Sequence, residues 1–181
     1  AVNALSERFQ IESIRDNQSL KLLYNRGEIV KKNESNDLDA KNGTIVEFTP
    51  DSEIFKKFSF INDYVETQIS HYVYLNSGLS IHYNKRKFYS ENGLKDLLVN
   101  YTENQKIAYP IIHLKDNDIE VAISHGYQYG EEYYSFVNGQ NTTSGGTHLA
   151  AFREAVVKTV RDFYKKDFDA SDVRASIIAS I

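Results

Sequence analysis

The 181-residue chain contains no cysteine and no methionine. Without cysteine it can form no disulfide framework, no thiolate metal site and no cysteine nucleophile, and such a composition suits a reducing compartment. The apolar runs are far shorter than the roughly 18 residues that a membrane-spanning helix needs. No basic segment followed by an apolar stretch indicates a secretory signal. The composition therefore predicts a domain without disulfide bonds or membrane-spanning helices, in a chain long enough to bury a sizeable core.

The chain also lacks an excess of positive charge, since its net charge is −4. A domain that binds DNA tightly by itself usually has a basic excess, because phosphate contacts dominate that affinity. Any DNA contact must come from a local patch, and Lys85, Arg86 and Lys87 form one at the tip of a predicted hairpin. Such a tip is either solvated charge or a weak contact to DNA phosphate.

The spacing of apolar residues predicts a mixture of strands and helices. Residues 1–7 resemble the end of a helix, residues 9–23 predict a hairpin, and residues 31–42 are so polar that they predict an exposed loop. The β-branched run at 43–48 predicts a strand, and residues 61–76 predict an amphipathic helix. Further strands are predicted at 79–83, 87–89, 111–114, 119–124 and 133–137, with a short helix at 93–101.

A long helix is predicted for residues 147–165. Its apolar stripe steps by three and four residues through Leu149, Phe152, Val156, Val160 and Phe163. Thr147 is the expected N-cap. The preceding Gly145-Gly146 pair predicts either a tight turn or an anion site at the helix N-terminus. His148 has no serine or cysteine partner that would predict nucleophilic catalysis.

Other reactive side chains carry weaker signals. The five histidines show no metal-ligand spacing, so no metal site is expected. The tyrosines at positions 127, 129, 133 and 134 can stack on nucleic-acid bases, but such residues more often fill a half-buried sheet or an interface.

Four segments together carry a family resemblance. They are AVNALS at 1–6, GTIVEFTPD at 43–51, YLNSGLSI at 74–81, and SFVNGQNTTSGGTHLAAFREA at 135–155 followed by DVRASI at 172–177. In this order they resemble the B subunits of bacterial type II DNA topoisomerases. Residues 125–164 resemble topoisomerase IV B subunits of the Bacteroidetes type, with gyrase B as the close relative. Ala151 and the pair Ala175-Ser176 depart from the Gly and Glu-Gly that many members have there.

The resemblance implies an α+β fold and an internal piece of a longer polypeptide. Residues 1–52 would be the C-terminal part of a GHKL ATPase sandwich. Residues 53–181 would be a transducer domain like ribosomal protein S5 domain 2, with a mixed sheet and a left-handed strand-helix-strand crossover. The helix at 147–165 is expected to lie on that sheet as a rigid lever.

The resemblance also implies a function and its sites. The whole cytoplasmic enzyme would use ATP and Mg²⁺ to drive DNA strand passage, decatenation and relaxation. Its partners would be a second B subunit on ATP binding, an A subunit in an A2B2 heterotetramer, and DNA. Thr44 would support the adenine-reading aspartate and Val46 would line the same pocket, whereas from composition alone both are ordinary strand residues. The catalytic Glu, the glycine-rich lid and the γ-phosphate lysine would lie outside these residues, so this piece alone is expected to bind no cofactor and turn over no ATP.

The remaining alternatives are a piece of gyrase B and a non-enzymatic S5-like module that binds RNA or protein. The second would need a basic face, which the net charge of −4 does not indicate.

Overall fold

The computed structural model describes residues 1–36 and 39–181. The chain forms two compact units, Ala1–Phe60 and Ile61–Ile181. In the described residues the strands are β1 (Ser6–Arg15), β2 (Gln18–Asn25), β3 (Glu28–Asn36), β4 (Gly43–Pro50), β5 (Ser80–Tyr83), β6 (Arg86–Tyr89), β7 (Ile112–Lys115), β8 (Glu120–His125), β9 (Glu132–Tyr134), β10 (Phe136–Val137), β11 (Gln140–Asn141) and β12 (Ile177–Ser180). The α-helices are α1 (Asn62–Leu75), α2 (Leu94–Tyr101), α3 (Thr147–Tyr164) and α4 (Ala170–Arg174).

The first unit is an antiparallel sheet with strand order β3-β2-β1-β4. The predicted hairpin is confirmed, and β1 and β2 are joined by Asp16 and Asn17, both at positive φ. A two-residue loop of this kind matches the right-handed twist of the strands.

Two predictions for the first unit are wrong. Residues 1–7 contain only a short 3-10 helix, Asn3–Leu5, before β1 begins at Ser6. The loop predicted at 31–42 is strand over 31–36, while residues 37 and 38 lie outside the described residues. Every side chain of β3 is exposed. Backbone pairing with β2 needs no apolar side chains, so an edge strand can have the composition of a loop.

The second unit is built on a mixed sheet with strand order β7-β8-β12-β9. Strand β12 pairs antiparallel with β8 and parallel with β9, so the predicted α+β class with a mixed sheet is confirmed. The chain passes from β9 to its parallel neighbour β12 through α3 and α4. The left-handed sense of this crossover stays a prediction.

Helices cover both faces of this sheet. On one face, Leu94, Leu97 and Leu98 of α2 pack with Ala122, Phe136 and Ile178. On the other, residues of α3 pack against Val121, Ile177, Ala179 and Ile181. In the sequence Val121 and Ile123 alternate with Ala122 and Ser124, a pattern that predicts one buried face for β8. In the structure both faces are buried. The α2 side is lined by small residues such as Ala122 and Ser124, whose low hydropathy does not indicate burial in the sequence.

The expected packing of the long helix on the sheet is confirmed. Leu149, Phe152 and Val156 of α3 lie against the core, and Val157, which the predicted stripe omitted, is buried. Phe163 is 77% exposed, so its place in the stripe was wrong. Thr147 is the first helical residue and Gly146 is the N-cap, so the predicted threonine cap was also wrong.

Candidate functional site

Thr44 and Val46 lie two residues apart on β4 and therefore point to the same face of the first sheet. Strand β1 places Ser13 opposite Thr44 and Ile11 opposite Val46. Cross-strand partners of this kind share a face, so a hydroxyl pair sits beside an aliphatic pair.

This face of the sheet is apolar and open in the described structure. Val46 is 51% exposed and Phe48 is 40% exposed. The same face continues across β1 and β2. Its aromatic and aliphatic residues on these strands are Phe9, Ile11, Leu20, Leu22 and Tyr24. Among the described residues the Thr44 hydroxyl makes no side-chain hydrogen bond, so it is free to donate and to accept. A flat ligand with one polar edge fits these chemical properties.

The turn after β4 is fixed by a buried carboxylate. Asp51 is 2% exposed and pairs with the Arg26 guanidinium at 2.7 Å. The same carboxylate accepts from the Glu53 amide at 2.9 Å. Arg26 also pairs with Glu53, and these two acidic partners raise the pKa of the arginine. Pro50 is therefore the last residue of β4, and the Asp51 carboxylate fixes the turn that follows it.

The three basic residues of the β5–β6 hairpin have different surroundings. Lys85 occupies the turn with φ of 67°. Arg86 pairs with Glu66 on α1 at 2.8 Å and lies 4.9 Å from the ring centroid of Phe88. Lys87 lies 4.9 Å from the ring centroid of Tyr89. Arg86 thus already holds the hairpin to α1, and the two lysines carry the charge that a phosphate could meet.

The Gly145-Gly146 turn leads into a chain of hydroxyls that sequence reasoning missed. The Ser135 and Thr142 hydroxyls are 2.6 Å apart, and the Thr142 hydroxyl lies 3.4 Å from Nε2 of His148. Ser135 is 4% exposed and also donates to the Thr142 carbonyl. Because the serine is buried and engaged, this chain holds the β10–β11 hairpin to α3 and offers no nucleophile to a substrate.

A second unforeseen feature is a carboxylate that joins three elements. Glu131, just before β9, pairs with Arg153 of α3 at 2.9 Å and Arg174 of α4 at 3.1 Å, and accepts from the Tyr133 hydroxyl at 2.6 Å. Burial raises the pKa of Glu131, but the hydrogen bonds from Tyr133 and the two arginines outweigh it, so the net pKa is lowered. The two arginines lie 22 and 43 residues away from Glu131, so no local spacing could have found them.

The four tyrosines at 127, 129, 133 and 134, which were expected in a half-buried sheet or an interface, divide into two groups. Tyr133 and Tyr134 are half-buried in β9, and Tyr134 stacks on Tyr101 at 4.0 Å between ring centroids. Tyr127 and Tyr129 are exposed in the loop between β8 and β9.

Within residues 1–36 and 39–181, no group of three or more His, Asp or Glu is placed to hold a metal ion. None of the helices in that part of the chain is both long and apolar enough to cross a membrane.

Comparison with known proteins gives matches over nearly the whole chain. The family model described as DNA gyrase B matches residues 81–180. The B subunit of DNA topoisomerase 4 from Borreliella burgdorferi is 42% identical over 181 residues, which are 100% of this chain and 30% of that protein. The B subunit of DNA gyrase from Thermotoga maritima is 30% identical, with 99% of this chain and 32% of that protein covered. The chain thus spans about a third of the length of these relatives.

Solved structures share the fold. The 43K ATPase domain of Thermus thermophilus gyrase B, in complex with an aminocoumarin, superposes with a TM-score of 0.82 at 24% identity, covering 98% of this chain and 55% of that one. The topoisomerase IV ATP-binding domain of Francisella tularensis, in complex with a small-molecule inhibitor, gives a TM-score of 0.73 at 20% identity, with 99% and 55% covered. Since the family model covers more than half of the residues, the chain belongs to the DNA gyrase B family, the B subunits of type II topoisomerases.

Proposed function

We propose that this chain is part of the B subunit of topoisomerase IV, which couples ATP binding and hydrolysis to DNA strand passage, decatenation and relaxation. The observation that carries the proposal is the 42% identity to the B subunit of a topoisomerase 4 along all 181 residues, against 28–30% to the gyrase B relatives. DNA gyrase remains the second candidate, because the family model and several relatives bear that name.

The two compact units support a division into two functional domains. We assign residues 1–52 to the C-terminal part of a GHKL ATPase domain and residues 53–181 to the transducer. In the structure the units divide between Phe60 and Ile61. The first unit carries the open apolar sheet face, and the second carries a helix fixed on a mixed sheet.

The residues of β4 fit one side of an adenine pocket. The free Thr44 hydroxyl can orient a carboxylate or a water that reads the base, and the exposed Val46 side chain can lie against its flat surface. ATP binding and hydrolysis would supply the free energy that shifts the enzyme between two conformations. Among the described residues no group of three or more His, Asp or Glu is placed to hold a metal ion, and we derive no step through Mg²⁺. We infer that these 181 residues alone turn over no ATP.

The proposal places the protein in the cytoplasm with three partners: a second B subunit, an A subunit in an A2B2 assembly, and DNA. Support for DNA contact is local. Lys85 and Lys87 of the β5–β6 hairpin lie in a chain of net charge −4, so any contact would be weak and suited to transient passage.

The decisive test is decatenation of interlinked DNA circles by the full-length protein with its A subunit. ATP-dependent decatenation without negative supercoiling supports topoisomerase IV, and ATP-dependent negative supercoiling supports gyrase. If an assembled complex that binds DNA showed neither decatenation nor negative supercoiling, both the topoisomerase IV and the gyrase assignments would be rejected.

The nucleotide site is tested by Thr44→Val and Thr44→Ser in the same complex. Val preserves the shape and β-branching but loses the hydroxyl, which removes a hydrogen bond to a charged group worth about 1.5–3 kcal/mol. We expect ATP affinity to fall by about 10- to 100-fold in the Val variant and to change little in the Ser variant. Equal ATP affinity of the Val variant and the parent protein would remove Thr44 from the site.

The hairpin is tested by neutralising Lys85 and Lys87, with Arg86→Gln as the matched control. Loss of the lysines should slow strand passage while sparing ATP affinity, with the stability unchanged. The control instead removes the ion pair to Glu66 and should loosen the hairpin. Unchanged decatenation and relaxation rates in the lysine variant would reject a DNA contact here.

A further inference from the structure

The chain contains three Asn-Gly pairs, at positions 42–43, 92–93 and 138–139. In such a pair the glycine backbone nitrogen can attack the side-chain amide carbon, because no glycine side chain obstructs the approach. Whether the reaction occurs in a folded protein depends on the freedom of two groups: the asparagine amide and the following backbone N–H.

Two of the pairs are held in place. The Asn92 amide donates to Asp96 at 3.0 Å, and the Gly93 N–H donates to the Ser90 hydroxyl at 3.0 Å inside a buried turn. Asn42 is held by Asp16, whose backbone N–H donates to the asparagine oxygen at 2.8 Å. At these pairs the attacked carbon, the attacking nitrogen or both are restrained.

The pair Asn138-Gly139 is different. It is the two-residue loop between β10 and β11, with φ of 48° and 81°. This is the positive-φ geometry in which Asn-Gly is favoured. Asn138 is exposed, and in the described residues neither its side chain nor the Gly139 N–H makes a hydrogen bond. Among the described residues, neither reacting group is therefore restrained by a hydrogen bond.

We propose that Asn138 is a site of spontaneous deamidation in the folded protein. Loss of a proton from the Gly139 backbone nitrogen lets that nitrogen bond to Cγ of Asn138. The bond from Cγ to the side-chain nitrogen breaks, and ammonia leaves with the proton, which gives a succinimide. Water then opens either carbonyl of the ring and gives aspartate or isoaspartate, with no oxidant or cofactor consumed.

The product changes the local charge and, in part, the backbone. Asn138 lines a cavity of about 690 Å³ together with Asp118, Glu120 and His148. A carboxylate at position 138 adds a third negative charge to that lining. Isoaspartate also inserts a backbone methylene into a two-residue loop whose geometry sets the β10–β11 register.

The test is peptide mapping of the folded full chain after incubation at 37 °C across a range of neutral to alkaline pH. Trypsin places the three pairs in separate peptides, 42–56, 88–95 and 116–153. We expect the mass gain of amide-to-acid conversion to appear in peptide 116–153 at least about tenfold faster than in 88–95, a barrier difference of about 1.4 kcal/mol. The rate should rise with pH, and an isoaspartyl methyltransferase should label the same peptide.

Two controls separate the fold from the local sequence. In denaturant the three rates should converge, because the restraints on Asn42 and Asn92 are lost. Asn138→Gln should abolish conversion in peptide 116–153, which also contains Asn117 and Asn141. A folded-state rate at Asn138 no faster than at Asn92, an equally large difference in denaturant, or conversion that persists in the Gln variant would each overturn the proposal.

Discussion

Ser176 is a residue in an unfavourable backbone conformation that nevertheless anchors a loop. Its φ is 62°, in the left-handed region. Its amide donates to the Gly130 carbonyl at 2.9 Å, and its hydroxyl donates to the Gln128 carbonyl at 2.6 Å. Its own carbonyl accepts from the Gly126 amide at 2.8 Å. The loop that presents the exposed tyrosines is thus held at both ends by one residue.

The expected changes in the free energy of unfolding place two substitutions of Ser176 in an unusual order of stability. Ser176→Ala keeps the left-handed strain and loses the hydroxyl bond, so we expect the free energy of unfolding to fall by about 1–2 kcal/mol. Ser176→Gly loses the same bond but relieves about 1–2 kcal/mol of strain, partly offset by about 0.4–1 kcal/mol of extra unfolded-state entropy. The Gly variant should therefore be within about 1 kcal/mol of the parent and more stable than the Ala variant.

The assay is urea unfolding of the full chain followed by tyrosine near-ultraviolet dichroism, with hydrogen exchange of the loop amides as a local probe. Ser124 is the matched control, since its hydroxyl donates to the Tyr109 carbonyl at 2.7 Å from a buried strand position without positive φ. There glycine should be worse than alanine. If Ser176→Ala were as stable as Ser176→Gly, or if both sites gave the same order, the balance of strain against the hydroxyl bond would be refuted.

Two further substitutions test the second unit. Gly93→Ala should destabilise by about 1–3 kcal/mol, because φ is 59° and the new Cβ would clash with the Glu120 carboxylate that accepts from the first amide of α2. Gly78→Ala, at φ of 87° with open space, is the control, and equal unfolding free energies would contradict the steric argument. Glu131→Gln should lower stability at neutral pH by about 1–3 kcal/mol. Because the folded pKa of Glu131 is lowered, its contribution is present above the unfolded pKa and is lost as pH falls through the folded value, so acid titrations of stability should be flatter in the variant.

Periodicity predicted those elements whose burial is periodic. The α3 helix over Leu149–Val157 and the β1–β2 hairpin follow their apolar spacing. Helix α1 forms where it was predicted, but Ile61, Tyr64 and Tyr72 of its apolar spacing are exposed and only Val73 is buried. Apolar spacing did not predict β3, which pairs through its backbone while its side chains are exposed. It also did not predict the exposed end of α3, which extends beyond the core on the sheet. Phe163 continues the α3 spacing but is exposed, since the core against which α3 packs involves residues from Leu149 to Val157.

The candidate sites were predictable only in part, for a physical reason. Motif resemblance pointed to Thr44 and Val46, and their shared face follows from the period of a strand. The surroundings of the cations in the β5–β6 hairpin could not be predicted in this way, because the partner of Arg86 is Glu66, which lies on a separate helix. The Glu131 contacts likewise depend on how α3 and α4 return to the sheet, which local sequence does not encode.

These attachments limit how the second unit can transmit a signal. Leu149, Phe152 and Val156 of α3 lie on the sheet, and its Arg153 shares the Glu131 carboxylate with Arg174 of α4. Sliding α3 along the sheet would expose apolar surface and separate a partly buried charge from its partners, and both changes are costly. Packed cores of this kind switch between discrete arrangements and resist small continuous deformation. On the proposed function, α3 therefore moves with its sheet as one body, and the residues that flex during coupling lie outside the contact between them.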